Sequence, residues 1–280
     1  MLNKMDFIPA VSKNMNRLFK DGKEESLLDQ VAIESPLEIY VKYGPFENRK
    51  LKKLAVIMRS PGDDIALAVG FLFTAGIIHT QSDLLPEQKS TPFQKIQLIA
   101  LSYHFIPIFP KEDRIFIVNA ACGVCGAPDA EVLAGNMPYP KWGKHKMIHR
   151  DVIFNSLERT KINQPLFNKT GGSHAVCWFS IEGNLIHVGE DIGRHNALDK
   201  VIGHAVLTQN SPKMDGFVFF SGRAGFEMLQ KAARAGIEVV AAIGAPTTFA
   251  IEIAEENEIT LIGFTKQNAF NIYSCKDRIQ

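Results

Sequence analysis

Two cysteines lie two residues apart in a glycine-containing segment, as Cys122 and Cys125 of the sequence CGVCG. Such a pair can hold a metal ion, cycle through a disulfide, or carry a sulfur atom as a persulfide. Zinc needs four ligands, and no second Cys-x-x-Cys or His-x-x-His motif completes the set, so zinc stays open but unsupported. A thioredoxin-like pair opens a helix, whereas these thiols lie on a glycine-bearing loop. A reachable, nucleophilic thiol on such a loop favours the persulfide carrier.

The other two cysteines and the N-terminal segment bear on the cellular compartment of the protein rather than on its chemistry. Cys177 lies in an alternating, strand-like run beside Trp178, which predicts a buried thiol, and Cys275 is incidental. Four cysteines in 280 residues are too few for a disulfide framework, which indicates a reducing compartment. The N-terminal segment also lacks the continuous apolar stretch of a secretion signal. We therefore expect a cytoplasmic protein.

Turns of small or charged residues recur in the C-terminal half, at residues 190–196, 221–225 and 244–248, and the first two contain an arginine. Each follows a predicted strand and precedes a predicted helix, which is where parallel α/β sheets bind their ligands. Glycines allow a close approach to the backbone, helix N–H groups point at an anion, and Arg194 and Arg223 can fork onto phosphate oxygens. Any one turn alone is explained as ordinary capping, but the three together predict a site for a phosphorylated ligand.

Two further segments have a structural reading as well as a functional one. The segment TGGSH, residues 170–174, places His174 at the start of a strand, either as a ligand contact or as a hydrogen-bonded histidine. Six basic or histidine side chains lie within residues 141–150 before the first acid, Asp151. Such runs are usually solvated faces, and a docking patch is the minority reading.

Charge and hydropathy exclude several classes of protein. The formal net charge is +1, so no excess of positive charge favours binding to nucleic acid or to an anionic membrane surface. No apolar run reaches the ~18 residues that a membrane span needs. Hydrophobic residues make up 46% of the chain, which is ample for the core of one large domain or two ordinary ones. We expect neither a nucleic-acid nor a membrane partner.

The elements that must position these residues divide into two patterns. Residues 1–30 are polar and weakly periodic, which predicts a loosely ordered tail. Residues 31–120 predict a small α+β domain of two strands, a helix that Ser60 caps and that ends near Gly76, and two more strands. The predicted strands cover residues 37–41, 51–58, 96–105 and 114–119.

Residues 121–145 are predicted as the cysteine loop and linker, and residues 146–280 as a second domain. After a helix at 151–160 and a hairpin at 175–188, strands and helices alternate along the chain. Such alternation predicts a largely parallel sheet covered by helices. The fold class is therefore α/β, with a small N-terminal α+β domain followed by a three-layer α/β/α domain.

Six segments, in this order, resemble the FdhD family of formate dehydrogenase accessory sulfurtransferases. They are MRSPGDDIALAVGFLFTAGII (58–78), CGVCG (122–126), TGGSHA (170–175), EDIGRHNALDK (190–200), SGRAGFE (221–227) and GAPTTFA (244–250). The resemblance runs from about residue 35 to residue 274. It implies that the C-terminal domain has a cytidine-deaminase-like fold and that the protein is a homodimer.

By this resemblance, Cys122 receives persulfide sulfur from a cysteine desulfurase, and Cys125 assists or relays it. The sulfur then passes to the molybdenum cofactor in its bis-molybdopterin guanine dinucleotide form, before that cofactor enters formate dehydrogenase. A GDP-like nucleotide is expected to bind at the same place. The residues expected to contact the cofactor are Thr170, Gly171, Gly172, His174, Arg194, His195, Asn196, Ser221, Gly222, Arg223, Pro246, Thr247, Phe264, Thr265, Lys266, Gln267, Asn268 and Ala269.

Two other functions compete with sulfur transfer. Zinc-dependent deamination needs His-x-Glu before Pro-Cys-x-x-Cys, and here Val176 stands in place of the glutamate and Ala121 in place of the proline. We therefore set deamination aside and expect no metal. A non-catalytic chaperone that holds the molybdenum cofactor would keep the arginine and glycine turns but would not need Cys122.

Overall fold

The computed structural model describes residues 8–89, 95–109, 116–118, 147–209 and 214–280. Three of the sequence predictions lie outside these residues: the Cys122–Cys125 pair, the linker at 121–145, and most of the basic run at 141–150. The positions expected to contact the cofactor, from Thr170 to Ala269, all lie within the described part of the chain.

The chain begins with a β-hairpin where the sequence predicted a loosely ordered tail, so that prediction was wrong. Strand β1 (Ala10–Leu18) pairs with β2 (Glu24–Ala32) in antiparallel register over nine residues. Most side chains of both strands are exposed on both faces. Because neither face is buried, no alternation of apolar and polar residues marked these strands in the sequence.

A four-stranded sheet and one helix follow, as the sequence predicted. The strands are β3 (Ser35–Tyr43), β4 (Lys50–Arg59), β5 (Ile96–Ala100) and β6 (Phe116–Val118), in the order β5-β3-β4-β6. Helix α1 (Asp64–Thr74) lies between β4 and β5 in the chain. Its N-cap is Asp63 in a left-handed conformation rather than Ser60, so the predicted serine cap was wrong.

The C-terminal half forms a six-stranded mixed sheet in the order β12-β11-β10-β9-β7-β8. Its strands are β7 (His174–Phe179), β8 (Leu185–Asp191), β9 (Phe217–Phe220), β10 (Val239–Ala242), β11 (Thr260–Gly263) and β12 (Asn271–Ser274). Strands β9, β10 and β11 are parallel, whereas β7, β8 and β12 each pair antiparallel with their neighbours. The parallel part is therefore smaller than the sequence predicted.

Helices cover both faces of this sheet, which confirms the α/β class. They are α2 (Arg150–Ile162), α4 (Arg194–Thr208), α5 (Phe226–Arg234) and α6 (Thr248–Glu256), whereas the short α3 (Pro165–Thr170) packs against the hairpin. One core contains buried side chains of α4, α5 and α6. A second core places Ile153 and Leu157 of α2 against Cys177 and Phe219 on the opposite face.

Two glycines allow helices α1 and α4 to pack with their backbones in contact. A Cβ atom added at Gly70 would lie 1.9 Å from the carbonyl oxygen of Asp199, and one at Gly203 would lie 1.8 Å from that of Ala66. Buried residues of the first sheet, α1 and α4 belong to a single hydrophobic cluster. One continuous core therefore joins the two halves of the chain.

Candidate functional site

A cavity of about 720 Å³ brings together residues that the sequence placed in three separate segments. Its wall includes Thr170, Gly172 and His174 of the TGGSH segment, together with Arg194 and Arg223. Another part of the wall comes from the hairpin and the residues after it, through residues 29–32 and Glu34. A second cavity of about 590 Å³ shares Gly172 and His174 with the first and adds Gly171 and Ser221.

Helix α3 and the turn after it hold the TGGSH segment in place. Gly171 follows the helix in a left-handed conformation, with φ of 66°, which favours glycine because it has no Cβ. The hydroxyl of Thr170 donates to the carbonyl of Leu166 and accepts from the Gly172 N–H. The sequence analysis missed α3, for which the signal was the proline at its first position, Pro165.

The Glu190 carboxylate fastens this segment to strand β8. Its two oxygens accept from the backbone N–H groups of Leu166 and Phe167, at 2.9 and 2.6 Å, and from the Ser173 hydroxyl at 2.7 Å. A carboxylate at the start of α3 also satisfies free N–H groups of the first turn. Glu190 therefore orients the glycine turn that lines both cavities.

The buried carboxylate of Asp191 organises the start of helix α4. Its oxygens accept from the N–H groups of Ser60 and Gly193, the side-chain amide of Asn196 and the ammonium of Lys200. These bonds fix the turn before Arg194, the first residue of the helix. Arg194 is thereby held at a helix N-terminus facing the cavity, where free N–H groups attract anions.

The Asn196 side chain is buried and hydrogen-bonds inside the protein. Only 2% of the residue is exposed, and its amide donates to the Met58 carbonyl as well as to Asp191. Sequence analysis placed it among the cofactor contacts. The structure instead gives it bonds that tie α4 to the end of β4.

His174 is the titratable side chain shared by the two cavities. Burial lowers its pKa below the ordinary value of 6.5, and the positive charges of Arg194 and Arg223 and the nearby His195 lower it further, against an opposing effect of Asp191. A Cβ at Gly222 would lie 3.3 Å from its Nδ1 atom, so the glycine leaves room for the ring. His174 is therefore neutral at pH 7 and able to accept a hydrogen bond or a proton.

His195 lies behind the cavity wall and forms a close pair with Glu227. Its Nε2 atom is 2.6 Å from a Glu227 carboxylate oxygen, and its side chain is 5% exposed. This hydrogen bond is the main cause of a lowered Glu227 pKa. The Nδ1 atom is buried and has no hydrogen-bond partner within the part of the chain that the structure describes. His195 lines neither of the two cavities.

The turns after β9, β10 and β11 are joined by backbone hydrogen bonds into one rim at the carboxyl ends of these strands. The Gly244 N–H donates to the Gly222 carbonyl at 2.9 Å, and the Phe264 N–H donates to the Gly244 carbonyl at 3.1 Å. The Ser221 hydroxyl accepts from the Ala175 N–H of β7. The first and second of these turns also meet where Ala224 pairs with Pro246.

The remaining predicted contacts lie on this rim without lining either cavity. Thr247 caps α6 through its side chain, and Thr265 is buried and donates to the Ala242 carbonyl. Phe264 adopts a positive φ of 51°, and the Lys266 N–H donates to the Ala269 carbonyl to close a turn. The side chains of Lys266, Gln267, Asn268 and Ala269 are exposed.

Other candidate chemistry is limited within the described ranges. Burial raises the pKa of the Cys177 thiol to about 11, so this thiol is un-ionised and unreactive at neutral pH. In the ranges given above, no three His, Cys, Asp or Glu side chains are grouped so as to hold a metal ion. The helices there are also too short or too polar to cross a lipid bilayer.

The fold and the cavity define a mixed α/β protein with a glycine-lined pocket that holds two arginines near the carboxyl ends of its parallel strands. The chain belongs to the FdhD/NarQ family, whose family model matches residues 32–280.

Curated relatives span nearly the whole chain. A protein of Sulfolobus acidocaldarius is 38% identical over 260 residues, covering 93% of this chain and 95% of the relative. One of Picrophilus torridus is 38% identical over 275 residues, covering 97% and 99%. Both are named sulfur carrier protein FdhD.

The fold also matches a crystal structure from Desulfotalea psychrophila, described as that of a candidate formate dehydrogenase accessory protein. The TM-score is 0.77 at 21% identity, over 97% of this chain and 100% of the other. At this identity the likeness supports the fold.

Proposed function

We propose that this protein is a cytoplasmic sulfur carrier for formate dehydrogenase. Cys122 receives sulfur from a cysteine desulfurase, Cys125 assists or relays it, and the acceptor is bis-molybdopterin guanine dinucleotide. The names of the relatives support the sulfur-carrier role. The observation that carries the choice of acceptor is the convergence of Arg194, Arg223 and His174 on one cavity.

The cavity suits the nucleotide part of that acceptor. Its volume of about 720 Å³ falls in the range of roughly 300–1,000 Å³ that is usual for small-molecule sites. Two guanidinium groups can hold a pyrophosphate by paired hydrogen bonds, and the N-terminus of α4 adds backbone N–H donors. Gly171 and Gly172 let the ligand approach the backbone closely. A GDP-like nucleotide is expected to occupy the same place.

The first chemical step is a thiol–persulfide exchange that conserves atoms and electrons. The Cys122 thiolate attacks the outer sulfur of the desulfurase persulfide, whose S–S bond breaks as a new one forms. The desulfurase leaves as a thiolate, and Cys122 holds the transferred sulfur for the acceptor. Cys177 cannot replace Cys122, because its buried thiol stays protonated.

The binding residues have separate tasks in this proposal. Arg194 and Arg223 neutralise and orient the pyrophosphate, and neutral His174 offers a proton acceptor beside it. Glu190 and Asp191 act through others, because their carboxylates hold the glycine turn and the start of α4. We also propose that the protein works as a homodimer, which the molecular mass in solution would test.

The test is to incubate the protein with an active cysteine desulfurase and cysteine, then locate added sulfur by non-reducing peptide mass spectrometry. We expect one extra sulfur on the peptide containing residues 122–125, and its loss in Cys122→Ala. The matched control Cys275→Ser should be labelled like the unaltered protein. Absence of sulfur from this peptide with a competent desulfurase would overturn the carrier mechanism.

A non-catalytic cofactor chaperone is the second candidate, because Arg194, Arg223 and His174, which line the cavity, could hold the cofactor without sulfur chemistry. Formate dehydrogenase activity in cells that carry only Cys122→Ala separates the two functions. We expect that activity to be lost while the purified variant still binds GDP. Full activity with Cys122→Ala would favour the chaperone.

A further inference from the structure

The larger cavity is lined by side chains of opposite charge. Arg194 and Arg223 lie on the side of the α/β domain, whereas Asp29 and Glu34 come from the end of the hairpin and the residues after it. Both acids are exposed, and neither forms an ion pair with either arginine in the described ranges. Because these opposite charges line one cavity without pairing with each other, the cavity suits a ligand that has both an anionic group and hydrogen-bond donors.

The acidic wall is anchored to the rest of the site. Strand β2 packs against α3, and a Cβ at Gly172 would lie 3.7 Å from the Cβ of Ala32. The Ile33 N–H donates to the Pro9 carbonyl, which closes the base of the hairpin. The side-chain amide of Gln30 donates to the Ser12 hydroxyl at 2.7 Å. One Asp29 carboxylate oxygen accepts from the Gln30 N–H at 2.9 Å, and within the described ranges its other oxygen and the Glu34 carboxylate are the charged acceptors on this wall.

The chemistry of carboxylates selects among nucleobases. An ionised carboxylate only accepts hydrogen bonds, and its two oxygens match two adjacent donors. Guanine presents such a pair, N1–H and the 2-amino group, on its Watson–Crick edge. Adenine presents one donor beside an acceptor nitrogen, which a carboxylate repels. A cavity lined by both arginines and carboxylates is therefore suited to a guanine nucleotide.

We propose that the β1–β2 hairpin supplies the base-reading side of the site, with the carboxylates of Asp29 and Glu34 accepting from the guanine edge while Arg194 and Arg223 hold the phosphates. This inference rests on the proposed function, which places a guanine nucleotide in the cavity. The family model begins at residue 32, so Asp29 lies outside the matched region. The hairpin thus sets base specificity, and the α/β domain sets the affinity for phosphate.

The test is a calorimetric comparison of GDP, inosine diphosphate and ADP binding to the full-length protein and to Asp29→Asn, Glu34→Gln and the double variant. A hydrogen bond to a charged group contributes about 1.5–3 kcal/mol, so we expect the GDP preference over ADP to fall at least about tenfold in the double variant. Inosine diphosphate, which lacks the 2-amino group, should bind the unaltered protein more weakly than GDP does. Inorganic pyrophosphate should bind all variants at least as well as the unaltered protein.

A gain of function supplies a second, independent readout. The carboxamide introduced in Asp29→Asn or Glu34→Gln donates a hydrogen bond, which matches the 2-carbonyl of xanthine. We expect xanthosine diphosphate to bind at least one of these variants more tightly than it binds the unaltered protein. The control Glu24→Gln removes an acid from the same hairpin outside the cavity and should change neither preference.

Three results would overturn the inference, and they have different meanings. Unchanged selectivity in the double variant, or equal gains for GDP and ADP, would show that the acids only repel phosphate. Equal binding of GDP and ADP by the unaltered protein would refute base reading but leave the phosphate site intact. No binding of any nucleotide by a folded protein, checked by circular dichroism, would refute the nucleotide site in the proposed function itself.

Discussion

The ammonium nitrogen of Lys200 lies 2.8 Å from a carboxylate oxygen of Asp191, and the two side chains are 3% and 0% exposed. The ammonium also donates to the carbonyls of Ser60 and Glu190, so its hydrogen-bonding capacity is filled inside the protein. These contacts link helix α4, strand β8 and the segment before α1. The pair thus connects the core between the two halves to the turn that carries Arg194.

We predict that Lys200→Met lowers the free energy of unfolding by about 3–5 kcal/mol, because it leaves a buried carboxylate without its partner. The control Lys161→Met breaks the exposed pair of Lys161 with Glu158, 2.8 Å apart, and should cost less than about 1 kcal/mol. Urea unfolding followed by circular dichroism measures both. Equal effects of the two substitutions would contradict the role given to the Asp191–Lys200 pair.

A methyl group at the crossing of α1 and α4 should be poorly tolerated. Gly203→Ala forces its Cβ against the Ala66 carbonyl, and we expect a loss of about 1–3 kcal/mol or more, despite the better helix propensity of alanine. At Gly225 an added Cβ meets nothing within 4 Å, and Gly225→Ala should cost less than about 1 kcal/mol. Thermal unfolding midpoints compare the two variants, and a stable Gly203→Ala protein would mean that the helices move apart easily.

The pKa of His174 should respond to the arginines around it. Positive charge disfavours the protonated imidazole, so Arg194→Gln should raise this pKa toward 6.5, though not fully, because burial has the larger effect. Binding of GDP should raise it too, since phosphates bring negative charge. The histidine ring signals in an NMR titration measure the shift. Lys169→Gln, at the exposed end of α3, should leave it unchanged.

Removal of the Glu227 charge should matter only above acidic pH. A carboxyl whose pKa is lowered by folding stabilises the protein above its ordinary pKa of 4.5, and this contribution is lost as pH falls through the lowered value. Glu227→Gln should therefore reduce the unfolding midpoint at pH 7 and have progressively less effect below pH 4.5. A difference that is constant from pH 7 to pH 3 would argue against a stabilising contribution from the ionised Glu227 carboxylate.

Local patterns were sufficient to predict most of the regular structure. The strand at 37–41 shows the alternation of one buried face, the helix after Pro61 has a start signal, and the later strands are short apolar runs between helices; the structure confirms these elements. The hairpin at 10–32 was missed because neither of its faces is buried. Helix α3 was missed because six residues are too few to show a period.

The site was predictable in its location but not in the division of tasks among its residues. Strand ends followed by glycine and arginine predicted that Arg194 and Arg223 lie together, and both line the cavity. The place of His174 beside them was expected only from the family resemblance. His195 and Asn196 look like ligand contacts in the sequence, yet both are buried. Their partners, Glu227 and Met58, are far away in the chain, and no local pattern reveals such pairs.

Helices α1 and α4 pack together at Gly70 and Gly203, and this contact joins the two parts of the chain on either side of the stretch that holds the cysteine pair. That stretch, residues 119–146, is the covalent link between two halves that already share one core. Since packing at Gly70 and Gly203 holds the halves together, their association does not depend on this covalent link alone.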